Sequence, residues 1–222
     1  MKKRLKDLIF EQKLVPWRIQ RWFCHWRNLI FNINTGKYWD AVWTKEIASL
    51  SENREMVNLY KKIIEHIGEG VKLIDLGCGL GIFMNMAKEA RHCNVFGIDI
   101  SNEAIRHIKE KGMEGISKKI PPIPFASHYF DVVVSTELLE HVSNPIYLVK
   151  EMLRIVKKNG VCFFSVPDNC MYPHQVREHV CSFTKGNLYS LLKKINPSIQ
   201  ICSLSIEEAN KTKRILFVCK NN

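Results

Sequence analysis

Three glycines within five residues, Gly77, Gly79 and Gly81, impose the strongest constraint on how this chain folds. They directly follow the apolar run 71–76 and precede the helical pattern 82–91. A glycine loop that joins a buried strand to the N-terminus of a helix is typical of an open α/β sheet, and ligands bind at that place. The loop is therefore the first candidate for a binding site.

The middle of the chain repeats this alternation of short apolar runs and helical patterns. The predicted buried strands are 71–76, 94–99, 131–135 and 161–166. The predicted helices are 82–91, 102–111 after the cap Ser101, and one that starts at Pro145 after the cap Asn144 and ends before Gly160. Alternation of this kind predicts an α/β fold with a doubly wound, mostly parallel sheet.

The last forty residues follow a different pattern. Thr184 caps a predicted helix, and two strand-like runs follow, 199–203 and 214–220. Parallel neighbours need a connection of roughly a dozen residues or more, usually a helix, and the polar segment between these runs has no room for one. The pair is therefore predicted to be antiparallel, so that an otherwise parallel sheet ends in an antiparallel strand.

The residues around the glycine loop restrict the ligand. A dinucleotide fingerprint needs a glycine where this chain has Ile82, and no Gly-Lys-Ser/Thr phosphate loop exists. Asp75 precedes the loop and would repel a pyrophosphate, whereas Asp99 ends the second strand and is placed to accept two ribose hydroxyls. This combination indicates an adenosine-type cofactor that carries an amino acid.

Several ordered segments together resemble a known family. The segments 75–81, 96–101 and 130–133 resemble those of the class I S-adenosylmethionine-dependent methyltransferases. The run 137–142 (Glu-Leu-Leu-Glu-His-Val) is similar to the subgroup that includes the ubiquinone-biosynthesis O-methyltransferases. The resemblance covers about residues 55–220, and it implies S-adenosylmethionine as cofactor and a Rossmann-like sheet of seven strands with an antiparallel last strand.

The resemblance also implies roles for individual residues. The glycine-loop backbone would contact the methionine moiety, Asp99 would hold the ribose, Ile100 would lie against the adenine, and Thr136 would sit beneath the cofactor. The implied cofactor-binding set is Asp75, Gly77, Cys78, Gly79, Gly81, Asp99, Ile100 and Thr136. In the family an acidic residue often accepts from the adenine amino group, but the matching stretch here holds Lys119. Since an ammonium cannot accept, adenine recognition falls to backbone or water.

Two histidines are candidates for a general base. Methyl transfer from a sulfonium is an in-line displacement with a neutral leaving group, so alignment supplies much of the acceleration and no nucleophilic residue is required. A hydroxyl acceptor still benefits from a base. His141 follows the fourth predicted strand, and His179 lies in a segment that resembles the family's acceptor-pocket lining. The alternative for His141 is a capping or packing role.

The same segment leaves a metal site open. If it is helical, Glu137, Glu140 and His141 share one face, and two carboxylates with an imidazole suit a divalent cation. Some ubiquinone-pathway and small-RNA methyltransferases use similar residues in this way. Many relatives carry the same residues without a metal, so no metal ligand is assigned from the sequence.

The N-terminal segment carries more than half of the net charge. Residues 1–30 hold eight basic and two acidic residues, a net +6 of the chain's +11, and they include three tryptophans, at 17, 22 and 26. Such a segment suits a lid over the acceptor pocket, an amphipathic helix at a membrane interface, or stacking on nucleic acid. We favour the lid, because Trp39 and Trp43 continue the aromatic pattern. The predicted division is a helical arm or lid over 1–54 and a methyltransferase domain over 55–222.

The lid and the membrane helix predict different behaviour with lipid. Each basic residue near an anionic surface contributes about 1 kcal/mol, so a membrane helix would carry the protein onto anionic vesicles, and salt would weaken binding. A lid predicts no pelleting with phosphatidylserine vesicles at low or high salt. It also predicts that deletion of 1–30 spares cofactor binding and impairs acceptor turnover. Pelleting at low salt alone would contradict the lid.

Composition narrows the functional class. The 46% hydrophobic and 25% charged residues exclude a disordered or fibrous chain, and no apolar stretch reaches the roughly 18 residues of a membrane span. Eight cysteines without a Cys-x-x-Cys pair predict reduced thiols in a cytoplasmic protein.

The leading hypothesis is methyl transfer from S-adenosylmethionine to a small-molecule or lipid-like acceptor, at oxygen. The alternatives are an RNA methyltransferase, favoured by the basic arm but lacking an added RNA-binding module, and a non-catalytic cofactor-fold binding subunit.

Overall fold

The structure, a computed structural model, describes residues 32–48, 56–168, 176–207 and 213–220. Of the predicted arm over 1–54, residues 1–31 and 49–54 lie outside the described residues, and residues 36–48 form a helix, so the role of the arm stays a prediction. None of the described helices is long and apolar enough to cross a membrane.

Strands and helices alternate along the described chain. The strands are β1 (Lys72–Leu76), β2 (Asn94–Asp99), β3 (Glu114–Ser117), β4 (Phe130–Thr136), β5 (Val156–Pro167), β6 (Gln200–Glu207) and β7 (Lys213–Lys220). The helices are α1 (Gly36–Ala48), α2 (Val57–Glu65), α3 (Ile82–Arg91), α4 (Asn102–Glu110), α5 (Pro145–Ile155) and α6 (Lys185–Ile195), with a single 3₁₀ turn at Leu139–His141.

All seven strands form one sheet in the order β3-β2-β1-β4-β5-β7-β6. The pairs from β3 through β5 are parallel, whereas β7 runs antiparallel to both β5 and β6. The strand order reverses between β1 and β4, and this switch point is where an open α/β sheet opens a crevice for ligand. The predicted doubly wound, mostly parallel sheet with an antiparallel last strand is therefore confirmed.

The sheet separates two hydrophobic layers, because successive side chains of a strand point to opposite faces. In β1, Leu73 packs into the layer beneath α2, α3 and α4, and Ile74 packs into the layer beneath α5 and α6. Both side chains are fully buried. Helices thus cover both faces of the sheet, and the side left for polar groups is the one at the carboxyl ends of the strands.

Helix caps account for the accuracy of several predicted boundaries. The Ser101 hydroxyl accepts from the Ala104 amide, and the Asn144 side chain accepts from Tyr147. Thr184 and Asn187 exchange side-chain and backbone hydrogen bonds in a reciprocal capping box. Each cap satisfies an amide that the first helical turn leaves unpaired, which makes the start of a helix readable from local sequence.

Two predicted features differ in the structure. The short edge strand β3 was not located from the sequence, because Glu114-Gly115-Ile116-Ser117 has no apolar run. The predicted end of α5 near Gly160 was wrong, since the helix ends at Ile155 and β5 begins at Val156. Val156 pairs with Phe130 ahead of an irregularity in the β4–β5 register, so tertiary pairing ends the helix where local sequence would continue it.

Candidate functional site

A cleft of about 290 Å³ opens at the carboxyl ends of β1, β2 and β4. Its floor is made by strand ends and its sides by α1, by the segment after β3 and by the start of α5. The lining residues are Asn32, Asn34, Trp39, Trp43, Gly77, Ile98, Asp99, Ile100, Lys118, Lys119, Ile120, Pro121, Glu137, Leu138, His141, Val142, Ser143, Asn144 and Tyr147.

The glycine loop is tied to the neighbouring strand β2 through its amide groups. The Gly77 and Cys78 amides both donate to the Ile98 carbonyl, at 2.7 and 3.1 Å. The Gly79 amide donates to Asp99 Oδ2 at 3.0 Å. Gly81 serves the packing of the loop against α4 and not the binding of a ligand, because a Cβ at this position would lie 2.7 Å from the Ile108 side chain. The amide hydrogen bonds attach the loop to the end of β2, beside the cleft.

Asp99 connects the loop to the start of α4. Its Oδ1 accepts from the Ser101 amide at 2.9 Å while Oδ2 accepts from Gly79, and burial raises the pKa of the carboxyl. The side chain nevertheless lines the cleft. A carboxylate oxygen accepts more than one hydrogen bond, so Asp99 keeps acceptor capacity for hydroxyl groups of a ligand.

Asp75 lies behind the loop and does not line the cleft. The side chain is only 2% exposed, and its Oδ1 has no hydrogen-bond partner among the described residues. Burial raises the pKa of this carboxyl to about 8, with a further contribution from the charge of Asp99. An aspartate that is protonated near neutral pH supports the loop from beneath as a neutral group.

The raised pKa of Asp75 predicts a pH-dependent stability. The unfolded carboxyl titrates near 4 and the folded one near 8, so the unfolded chain binds fewer protons between these values. The free energy of unfolding should therefore fall as pH rises, by up to about 1.4 kcal/mol per pH unit from this group. In urea unfolding from pH 5 to 8, D75N should flatten that slope.

Asp131, at the opposite end of the sheet, is the matched control for Asp75. Its carboxyl is partly buried, but the hydrogen bond from Lys157 holds its pKa below the usual value. Because its folded and unfolded forms are both ionised above pH 5, D131N should lower stability without changing the slope. An unchanged slope in D75N would contradict the assignment of a neutral Asp75.

Helix α1 covers the glycine loop with two stacked tryptophans. The rings of Trp39 and Trp43 lie 5.9 Å apart at an interplanar angle of 27°. Trp43 packs directly on the loop, since a Cβ on Gly79 would lie 2.9 Å from its ring. Asp40 accepts from the Ser101 hydroxyl at 2.6 Å and so fastens α1 to the end of β2. The segment 38–43 therefore covers the glycine loop.

His141 is held in one orientation at the other end of the cleft. Its Nδ1 lies 3.1 Å from the Glu178 carbonyl oxygen, so Nδ1 carries the proton and Nε2 has a free lone pair. Its ring contacts those of Trp39 and His179 edge to face, at 5.4 and 5.0 Å between centroids. Burial, together with the charge of His179, lowers the pKa of His141 to about 4, so the imidazole is neutral at pH 7.

The loop that carries Glu178 is bound to the start of α1. Asn34 Nδ2 donates to the carbonyls of both Glu178 and His141, at 2.8 and 3.1 Å. The Tyr38 hydroxyl donates to the Glu178 carboxylate in a short hydrogen bond, which raises the pKa of Tyr38 to about 12. The cover over the glycine loop and the histidine at the other end of the cleft are thus parts of one hydrogen-bonded unit.

The segment 137–141 is not helical at its start, so the condition for a metal site of Glu137, Glu140 and His141 is not met. Glu137 has a φ of +51°, outside the helical region, and only Leu139–His141 form a 3₁₀ turn. The Glu137 carboxylate accepts from the Ser165 hydroxyl at 2.9 Å and lies 3.1 Å from the Arg214 guanidinium. Glu137 therefore does not share a helical face with Glu140 and His141.

A different set of side chains meets the requirements of a metal site. Glu140, His141 and His179 each place a potential ligand atom within 4.8 Å of the others. Both carboxylate oxygens of Glu140 are buried without a hydrogen-bond partner among the described residues, and burial raises its pKa well above the usual value. A buried carboxylate that the protein leaves unpaired, beside two imidazoles, fits a divalent cation.

Comparison with known proteins decides the family. A family model described as a methyltransferase domain matches residues 37–198. The ubiquinone biosynthesis O-methyltransferase of Nitrosomonas europaea is 32% identical over 173 residues, which cover 72% of this chain and 72% of the relative. The chain belongs to the class I S-adenosylmethionine-dependent methyltransferases. The cofactor of this methyltransferase is accordingly S-adenosylmethionine.

Further relatives agree with this assignment. The ubiquinone biosynthesis O-methyltransferase of Stutzerimonas stutzeri is 37% identical over 148 residues, covering 61% of the methyltransferase and 63% of the relative. The match therefore spans less than two thirds of that relative's length.

Solved structures show the same fold at low identity. A Haloferax volcanii methyltransferase, in complex with the Trm112 methyltransferase activator, has a TM-score of 0.72 at 16% identity over 82% of this chain and 96% of its own. An S-adenosylmethionine-dependent methyltransferase from Aquifex aeolicus has a TM-score of 0.63 at 15% identity, and the match covers 80% of this chain and 98% of its own.

The structure brings some of the sequence-predicted residues to the cleft and leaves others behind it. Those that line the cleft are Gly77, Asp99, Ile100, Glu137 and His141. Those outside the lining are Asp75, Cys78, Gly79, Gly81, Thr136, Glu140 and His179. Thr136 is hydrogen-bonded to Tyr60 below the loop, and Cys78 is buried.

Sequence reasoning missed polar groups that line the cleft near His141. Asn34 and Ser143 gave no periodic signal, and the role of Asn144 was limited to its cap. Lys118 and Lys119 do line the cleft, and the Lys118 amide donates to the Asp99 carbonyl. A search for polar residues in the connection between β4 and α5 would have found Ser143.

Proposed function

We propose that this methyltransferase transfers the methyl group of S-adenosylmethionine to a hydroxyl oxygen of a small aromatic acceptor bound beside His141. The observation that carries the proposal is the position of His141, whose neutral imidazole lines the same cleft as Asp99 and Gly77. The names of the curated relatives, which are ubiquinone biosynthesis O-methyltransferases, support oxygen as the methylated atom.

The surroundings of His141 support an aromatic acceptor. Trp39 and Tyr147 supply flat aromatic surface, and Leu138 and Val142 supply apolar contacts beside it. Asn144 and Ser143 provide hydrogen-bonding groups at the mouth. A cleft of mixed aromatic and polar lining binds a planar hydroxylated ring by stacking and by a few directional hydrogen bonds.

The reaction needs only alignment and removal of one proton. The acceptor oxygen attacks the methyl carbon as the carbon–sulfur bond breaks, and S-adenosylhomocysteine leaves without charge. The Nε2 lone pair of His141 accepts the hydroxyl proton, while the Glu178 carbonyl keeps Nδ1 protonated. The tryptophan cover excludes water and holds the two reactants in line.

A bound cation is an alternative use of the same imidazole. When present, a divalent cation held by Glu140, His141 and His179 would polarise an acceptor hydroxyl and favour loss of its proton. Because Nε2 of His141 has one lone pair, it serves either as ligand or as base. The two roles are separated by activity after dialysis against a chelator, with and without added Mg²⁺.

The test uses the full chain with S-adenosylmethionine and a panel of phenols, catechols, amines, thiols and RNA, with methylated product measured by mass spectrometry. H141N should lower kcat by about 10²- to 10⁴-fold and leave the Kd for S-adenosylhomocysteine unchanged. The control is H66N, because His66 also places Nδ1 on a backbone carbonyl, that of Lys62, but lies far from the cleft.

Three outcomes contradict parts of the proposal. Turnover of amines or thiols but of no hydroxyl compound rejects the oxygen acceptor. Activity that is lost on chelation and restored by Mg²⁺ assigns His141 as a ligand and rejects it as the base. Cofactor binding with no turnover of any acceptor, including RNA, favours the non-catalytic binding subunit.

A further inference from the structure

The indole N–H of Trp43 is a buried donor that has no acceptor among the described residues. The ring lines the cleft and lies on Gly79. Its stacking partner Trp39 differs, because Nε1 of Trp39 donates to Asn34 Oδ1 at 3.2 Å. A buried donor left unpaired costs about 1–3 kcal/mol, so a protein that keeps one beside a ligand cleft is expected to pair it when the ligand binds.

The first three amides of the glycine loop cannot donate hydrogen bonds to a carboxylate of the ligand. Gly77 and Cys78 both donate to the Ile98 carbonyl, and Gly79 donates to Asp99. All three N–H groups thus point towards β2 and are already paired. These three amides are therefore unavailable to an anionic group of a ligand beside the loop, and that group requires a donor from elsewhere.

The cations of the cleft lie at its other end. Among the described lining residues only Lys118 and Lys119 carry a full positive charge, and they follow β3. The Lys118 amide donates to the Asp99 carbonyl, which places this pair beyond the ribose carboxylate. Since β3 lies on the far side of β2 from β1, neither lysine belongs to the glycine-loop end.

The positions of Asp99, the lysines and the glycine loop define the orientation of the cofactor in the cleft. With the ribose at Asp99 and the adenine towards Ile100 and β3, the amino-acid end lies at the glycine loop beside Trp43. We propose that the Trp43 indole N–H donates to the α-carboxylate of the cofactor and so selects a ligand that carries the amino acid. The inference rests on the S-adenosylmethionine site described above.

The test is a double cycle in which the donor is removed from the protein and the carboxylate from the ligand. Calorimetry measures the Kd of S-adenosylhomocysteine and of its decarboxylated analogue for the full chain and for W43F. We expect W43F to weaken S-adenosylhomocysteine by about 10- to 100-fold, the size of a charge-assisted hydrogen bond. The wild-type chain should lose a similar factor for the decarboxylated analogue, and W43F should bind both ligands equally.

The matched control is W39F, which also loses an indole N–H and a stacked ring but leaves the Trp43 donor in place. It should keep the wild-type preference for the carboxylate. If W43F keeps that preference as well, the proposal is overturned, and the first-turn amides of α3 become the carboxylate site. If W43F fails to fold, the wild-type chain still tests the proposal by itself. Equal binding of the two ligands by the wild-type chain overturns the proposal. A wild-type chain that binds neither ligand contradicts the cofactor site itself, and not only the role of Trp43.

Discussion

Gly79→Val should abolish measurable binding of S-adenosylmethionine while the chain remains largely folded. Gly79 has a φ of +49°, a left-handed conformation that a β-branched residue adopts only at a cost of about 1–2 kcal/mol. Its Cβ would also lie 2.9 and 3.0 Å from two ring carbons of Trp43. The side chain would therefore displace the indole from the loop and occupy space beside the methionine moiety. We expect the Kd in calorimetry to rise by at least about 100-fold, which is about 2.7 kcal/mol.

Gly112→Val is the control that separates the two causes. Gly112 has a φ of +72°, but no atom lies within 4 Å of the position of its Cβ. This variant should therefore lose stability through backbone strain alone and keep its affinity for the cofactor. Equal affinity losses in the two variants would mean that strain, rather than the contact with Trp43, explains the effect.

Asp99→Ala should weaken cofactor binding by about 2–3 kcal/mol, or roughly 30- to 150-fold in Kd. The variant removes the acceptor of the ribose hydroxyls and the carboxylate to which the Gly79 and Ser101 amides donate. Two donors are left unpaired, so the melting temperature should fall as well. Calorimetry and thermal unfolding on the same samples separate the two losses.

Asp40→Ala is the comparison for Asp99. Asp40 also binds Ser101, through the hydroxyl, but it lies outside the cleft lining. We expect it to loosen the cover formed by α1 and to change cofactor affinity far less than Asp99→Ala does. If Asp99→Ala leaves the Kd unchanged in a folded protein, Asp99 does not hold the ribose.

Features that depend on neighbours in sequence could be predicted from this chain. The start of α6 followed from Thr184, and the capping box with Asn187 that the structure contains uses residues three positions apart. The antiparallel pairing of β6 and β7 followed from the length of their connection. The place of the site followed in the same way, because Gly77 and Asp99 each end a buried strand and parallel strands bring their carboxyl ends to one edge.

Local rules failed where pairing across the sheet decides the conformation. Val156 continues the apolar face of α5 by period, yet it belongs to β5 because Phe130 pairs with it. The open metal alternative required Glu137 on a helix with Glu140, but the Glu137 backbone is left-handed and its carboxylate lies against Arg214 and Ser165. Strand pairing and ion pairing supplied the free energy that local helical preference could not outweigh.

By itself, the sequence determined the sheet, its antiparallel end, the glycine loop and the carboxylate of Asp99, because each follows from periodicity, chain reach or position at a strand end. Only the tertiary structure decided the chemistry around His141. Its orientation depends on the Glu178 carbonyl, which Asn34 holds from 144 positions away in the sequence. The unpaired N–H of Trp43 and the cluster of Glu140 with His179 also exist only when distant segments pack together. Hydrophobic periodicity carries no information about which polar side chains meet across such distances, since that depends on packing geometry rather than on residue spacing.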